Sequence, residues 1–115
     1  MHELGIVFTI ADRVKQIAEA NHVSHVECVT VEIGEVSDVI HSWLHDCWEW
    51  NAARTPILKD CKLEVIKIPA ITQCDGCGQL YHTLRHGKIC PHCGSDKTWL
   101  LQGNETNIRD IRVCD

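Results

Sequence analysis

The chain has 115 residues, 11 basic and 16 acidic side chains for a formal charge of −5, and eight cysteines. That length suits one compact domain, or one domain with a small lobe, and the acidic balance without a clustered basic face argues against nucleic acid. No apolar run approaches the roughly 20 residues of a membrane span and no signal-peptide pattern opens the chain, so a cytoplasmic protein is expected, with metal-bound or free thiols rather than disulfides.

Met1-His2-Glu3 puts an imidazole one residue from a free amine. The Met1 amine, the His2 backbone nitrogen and His2 Nδ1 close adjacent five- and six-membered chelate rings on one ion. Glu3 adds a backbone nitrogen and a carboxylate. Such a nitrogen-rich, near-planar set suits Ni(II) or Cu(II) and not Mg or Ca. The α-amine titrates at about 7.7–8.0 and histidine at about 6.5, so proton competition makes the site pH-sensitive near neutrality. The bulk of His2 implies that Met1 is retained.

Leu4, Val7, Ile10, Ala11, Val14, Ile17 and Ala18 recur at helical spacing, which predicts an amphipathic helix from Leu4 to about Asn21, stopped by Asn21 and His22. The alternation of Val29-Thr30-Val31-Glu32-Ile33 predicts a strand from about His25, ended by Gly34. Cys28 within it reads as a small buried hydrophobe. Ser37 is a candidate N-cap with Asp38 in the first turn of a second helix, whose stripe is Ile40, Trp43, Leu44, Cys47 and Trp48 and whose end lies near Ala53. Trp50 falls off that stripe. His41 and His45 share one face and could hold a metal; without a third ligand they read as a solvated face. Cys61–Ile68 predicts a second strand closed by Pro69. Glu105–Val113 predicts a last strand, whose uneven alternation suggests a bulge. The expected architecture is α+β: two helices on a small three-stranded mixed sheet with an inserted zinc-ribbon-like lobe. Residues 1–69 and 101–115 would form the α/β domain that carries the Met1-His2-Glu3 metal site, and 70–100 the four-cysteine lobe.

Cys74-Asp-Gly-Cys77-Gly78 and Cys90-Pro-His-Cys93-Gly94 are two CxxC knuckles separated by 12 residues. Four thiolates at this spacing point to tetrahedral structural zinc, with rubredoxin-type iron as the chemical alternative. A lobe this small has too little core to fold alone, and structural zinc supplies roughly 10–16 kcal/mol of apparent binding free energy in zinc-finger peptides. A closed set leaves no position for water or substrate, so the metal is not catalytic. His82, His86 and His92 lie in or beside the lobe and read as solvent-exposed, with a supporting role beside the metal as the alternative.

Taken together, Met1-His2-Glu3-Leu4 opening a helix, Glu32-Ile33-Gly34-Glu35-Val36-Ser37 ending the first strand, the paired knuckles, and Gln102-Gly103-Asn104-Glu105 before a short strand resemble the hydrogenase nickel-incorporation family, HypA/HybF. The resemblance covers essentially the whole chain. It implies a nickel metallochaperone, not an enzyme, that binds Ni(II) through the Met1 amine, His2 imidazole and backbone nitrogen, and Glu3. It also implies structural zinc on Cys74, Cys77, Cys90 and Cys93. Implied partners are a HypB-like maturation GTPase, the [NiFe]-hydrogenase large subunit and, in some organisms, urease accessory proteins. Neither nucleic acid nor a membrane is implied, and the protein would be a monomer or homodimer. The heavy Trp43, Trp48, Trp50 cluster, Cys61 and Cys114 depart from the family pattern. The alternatives are a zinc-ribbon protein-interaction module without nickel transfer, and an enzyme, for which no open-site zinc, nucleophile-elbow or phosphate-loop pattern is present.

Overall fold

The computed structural model describes residues 2–113; Met1 and Cys114 lie outside the described residues. The chain forms two compact units. Of the described residues, one takes 2–32, 39–66 and 107–113, and the other Ile33–Asp38 and Lys67–Thr106. The second is wider than the lobe expected over 70–100, because segments on both sides of that range fold with it. The class is α+β, as expected. Helices α1 (Glu3–Ala20) and α2 (His41–Ala52) accompany a sheet of strand order β2-β1-β6, with β1 Val26–Gly34, β2 Lys62–Ile68 and β6 Thr106–Val113.

In the first unit the α1 stripe is buried at Val7, Ile10, Ala11, Val14 and Ala18 and packs against α2. Leu4 and Ile17 sit half-buried at its margins. Strand β1 contributes Val26, Cys28, Val29 and Val31 to the core. Asn21 ends α1 as expected, its side-chain amide donating to the Ile17 carbonyl at 2.8 Å, and His22 then turns the chain at φ +57°. Burial pushes the Cys28 thiol above its ordinary value. Burial, with Cys28 beside it, pushes Cys61 up to about 11, so both remain protonated at neutral pH.

The second helix departs from expectation at its start. Ser37 is not its N-cap: the hydroxyl donates to the Gly34 carbonyl at 2.7 Å and closes the turn after β1. Asp38 then adopts φ +67°, which a helix cannot accommodate, and the first helical residue is His41 with Ile40 in the cap position. The Ile40 side chain cannot accept a backbone N–H. The Ile40 amide donates instead to Glu3 Oε2 at 3.0 Å, so a carboxylate on α1 does the work of a cap on α2. Glu3 lies one helical turn before Val7, on the buried stripe, and is 1 % exposed. The buried face of α2 is Leu44, Trp48, Asn51 and Ala52, rotated from the expected stripe; Ile40 and Trp43 face solvent and Cys47 is half-buried. Trp48 Nε1 donates to the Cys61 carbonyl at 2.9 Å. Trp50 lies on the surface, 6.4 Å from the Phe8 ring centroid and with the Arg54 guanidinium 4.2 Å from its own.

The second unit holds a three-stranded sheet of order β4-β3-β5, with β3 Ile71–Cys74, β4 Leu80–His82 and β5 Thr98–Gln102. Both pairings are antiparallel, with Gln73 opposite Leu80 and Trp99, and an irregularity between Ile71 and Thr72 on the β5 side. A single helical turn, α3 (Thr83–His86), follows β4. The segments entering this unit are clasped by backbone contacts. The Gly34 amide donates to the Glu105 carbonyl at 2.8 Å, Val36 to Gly103 at 2.8 Å, and Glu35 Oε1 accepts the Ala70 amide at 3.1 Å. A Cβ on Gly34 would overlap the Gly103 carbonyl, and Gly103 itself has φ +119° and lies against Ala70.

Gly34→Ala should therefore destabilise the protein by about 3 kcal/mol, since neither backbone can yield. Gly5→Ala, where a Cβ meets open space on a helix, should stabilise it by about 0.5 kcal/mol in the same thermal melts. The Ile40 amide holds the Glu3 carboxyl below its ordinary value of 4.5, with burial acting in the opposite direction. A lowered native value means that its stabilisation is complete above 4.5 and lost as pH falls through the native value. Glu3→Gln should thus lower the melting temperature by several degrees at pH 7, and the gap to wild type should close in acid.

Candidate metal centres

The two knuckles are built alike. Cys74 ends β3; its carbonyl accepts the Gly78 amide at 2.8 Å and its amide donates to the Gln79 carbonyl at 3.0 Å. Cys90 repeats this with Gly94 at 2.9 Å and Ser95 at 3.0 Å. The turns close through Gly78 at φ +75° and Gly94 at φ +74°, values that side chains disfavour. The glycine after each second cysteine is therefore the residue the turn needs.

These turns bring all four sulfurs within 4.8 Å of one another. Cys74 and Cys93 are 3.6 Å apart at Sγ, as are Cys77 and Cys90. A tetrahedral ion with arms of about 2.3 Å has sulfur–sulfur edges of about 3.8 Å, so the set fits a four-sulfur metal site. Backbone amides support the thiolates: Gly76 N–H donates to Cys74 Sγ at 3.2 Å and His92 N–H to Cys90 Sγ at 3.4 Å. Crowding splits the ionisation. Burial opposes a thiolate at Cys90, but the amides of Cys93 and His92 and the neighbouring thiols outweigh it and hold Cys90 at about 7. At Cys93 the Ser95 amide pulls down, yet Cys74, burial, Cys77 and Cys90 together push it up to about 12. Cys77 is also raised: the Gln79 amide and Cys93 pull it down, but burial, Cys90 and Cys74 outweigh them. A cation is what allows all four to ionise together.

Among the described residues this is the group of three or more histidine, cysteine or acidic side chains placed to share an ion. His41 and His45, both half-buried on α2, do not join one. His82, His86 and His92 are exposed; His86 packs edge-on against Tyr81 at 5.8 Å.

At the other candidate centre, His2 precedes α1 and is exposed, and its carbonyl accepts the Ile6 amide at 3.0 Å. Amides of a helix's first turn have no intrahelical acceptor, so a metal taking the His2 and Glu3 nitrogens breaks no helical hydrogen bond. His2 Nδ1 lies 3.9 Å from Glu3 Oε2, the oxygen that holds Ile40. Glu3 Oε1 is buried without a hydrogen-bond partner. Sequence reasoning treated Glu3 as a ligand and missed its second task, although its spacing to Val7 was the available signal.

Residues 1–113 match the family described as hydrogenase/urease nickel incorporation, metallochaperone, HypA. The chain belongs to the HypA family. The chain is 32 % identical to the hydrogenase maturation factor HybF of Klebsiella pneumoniae over 96 % of its own length and 97 % of that protein. It is 34 % identical to a HypA from Chlorobium phaeobacteroides, over 98 % of this chain and 99 % of that one. The solution structure of a Ni metallochaperone HypA from Helicobacter pylori shares the fold, with a TM-score of 0.74 at 24 % identity over 98 % of this chain and 97 % of the other. A second HypA solution structure gives 0.76 at 25 % identity, covering 99 % and 97 %. The HypA family is one of nickel metallochaperones of hydrogenase maturation, and in this member the four-cysteine cluster is arranged so that it could hold a metal ion. No helix among the described residues is long and apolar enough to cross a membrane.

The cluster must be deprotonated to bind, so acid should release its metal. Chelation at neutral pH should remove one metal equivalent. It should also abolish the near-ultraviolet dichroism of Tyr81 and Trp99 and open residues 67–106 to proteolysis, while the α1–α2 unit keeps its helical signal.

Proposed function

We propose that this chain carries Ni(II) at its N-terminus and hands it on during [NiFe]-hydrogenase maturation, with zinc in the four-cysteine cluster as a resident structural ion. The nickel ligands are the Met1 amine, the His2 imidazole and backbone nitrogen, and the Glu3 backbone nitrogen. What carries this reading is the position of His2: exposed, at the mouth of a helix anchored by its buried face, beside amides that the helix leaves free. The Glu3 carboxylate is engaged with Ile40, so Glu3 offers its backbone nitrogen to the ion while its side chain holds α2 in place.

A surface chelate can surrender its ligands one at a time to an acceptor, which a closed tetrathiolate cannot. Nickel is therefore the cargo and zinc the fixture. Zinc, redox-inert and indifferent to geometry beyond tetrahedral packing, suits a cluster whose task is to hold a fold. Binding at the terminus weakens as pH falls, because the amine and imidazole must lose protons first. A HypB-like GTPase and the hydrogenase large subunit are the partners this role requires. A urease pathway is a second client in keeping with the family description.

Calorimetric nickel titration of zinc-loaded, untagged protein tests this. Wild type should show one stoichiometric site, and His2→Ala should lose more than about 100-fold in affinity, beyond the 10–100-fold typical of outer-shell changes, with zinc content unchanged. One residue added before Met1 converts the amine to an amide and should weaken binding similarly. Equal binding by wild type and His2→Ala would move nickel elsewhere and leave an interaction module without nickel transfer as the better reading.

A further inference from the structure

Strand β5 is one of the two edge strands of the second unit's sheet. An edge strand presents unpaired amides and carbonyls, and soluble proteins usually blunt such edges with charge or proline. The β5 sequence Thr-Trp-Leu-Leu-Gln contains neither. Trp99, Leu100 and Leu101 are instead 46 %, 38 % and 43 % exposed. Trp99 is held in place, its Nε1 donating to Asp75 Oδ1 at 3.1 Å.

Beside β5 lies a cleft of about 240 Å³ lined by Thr72, Thr98 and Leu100 from the sheet and Thr83, Gly87 and Lys88 opposite. Its hydroxyls are already paired. Thr72 and Thr83 share a hydrogen bond at 2.6 Å, and Thr98 Oγ1 donates to the Lys88 carbonyl at 2.7 Å. The cleft therefore offers apolar surface, and an apolar cavity of about 150 Å³ already accepts a benzene ring. The segment that supplies the opposite wall reads Thr-Leu-Arg-His-Gly-Lys from Thr83 to Lys88, with two cations, one histidine and no acid; Lys88 lines the cleft and Arg85 is exposed on the same segment outside it. Among the described residues neither Arg85, Lys88 nor Lys97 pairs with a carboxylate. Of the acids in this unit, Glu35 holds the Ala70 amide, Asp75 holds Trp99 and Glu105 holds the Gly103 amide, while Asp96 is exposed beside Lys97.

We propose that the β5 edge and this cleft dock an extended segment of a partner protein in which apolar side chains are flanked by carboxylates. The segment adds to β5 as a fourth strand through backbone hydrogen bonds, drops one large apolar side chain into the cleft, and sets its carboxylates against Arg85 and Lys88. A second copy of this chain is a poorer occupant, because its own β5 carries no acid to meet that wall. The site is separate from the nickel ligands and does not rest on the nickel reading.

The test uses zinc-loaded full-length protein and a fluorescein-labelled heptapeptide alternating valine with glutamate around a central phenylalanine. Fluorescence anisotropy should show saturable binding. Lys88→Glu should weaken it about tenfold, Leu100→Lys should abolish it, and His2→Ala should leave it unchanged. Both substituted positions are exposed, and unaltered zinc content and circular dichroism confirm folding. No saturable binding, equal binding of the same peptide with lysine in place of glutamate, or indifference to both substitutions would each overturn the proposal. So would sedimentation showing that wild type self-associates and Leu100→Lys does not, which would assign the edge to a second copy.

Discussion

Four sulfur atoms held in mutual contact are the constraint on which the second unit depends. Its buried cluster is Cys74, Tyr81 and Cys90, and two of those three are members of the sulfur set. Strands of four, three and five residues cannot stabilise one another by burial alone. A metal ion bonded to the four sulfurs would replace the missing core, and the strands need be no longer than is required to aim the knuckles. This also explains why so much apolar surface stays outside: the unit does not depend on burying Leu80, Leu84, Ile89 or Trp99.

The first unit depends on burial in the ordinary way, and its one irregularity is informative. A carboxylate at Glu3 occupies a position where the helix stripe calls for an apolar residue. It persists because a backbone amide from another helix needs an acceptor there and Ile40 has none to offer. The residue beside the exposed imidazole thus fixes the start of α2, so anything that displaces Glu3 is felt at Ile40 as well as at the terminus.

The long periodic elements were legible in the sequence because each has a strong stripe. Helix α1 and strands β1 and β2 lie within one or two residues of their expected ends, and the knuckle spacing led to the sulfur cluster. The start of α2 was misread for a physical reason. Ser37-Asp38 has the chemistry of a helix cap, but the hydroxyl is used three residues back on Gly34 and the backbone at Asp38 turns left-handed. Local propensity could not reveal that the cap comes from Glu3, 37 residues away. Strands β3 and β4 were invisible because three or four residues carry no readable alternation. The Glu35 contact with Ala70 escaped for the same reason as the Glu3 contact: it joins residues far apart in the chain.

The clasp at Gly34, Glu35, Ala70 and Gly103 bears on how this architecture can change over time. A segment bounded by 70 and 100 looks like a cassette that could be exchanged between relatives, since it carries every sulfur ligand. Yet the turn that receives it belongs to residues 33–38 and its closing strand is followed by Gly103 and Glu105. A transplanted cassette would arrive with its metal site intact and its seat left behind. Modular shuffling is thereby discouraged, and the lobe and its receiving turn are expected to diverge as one inherited piece.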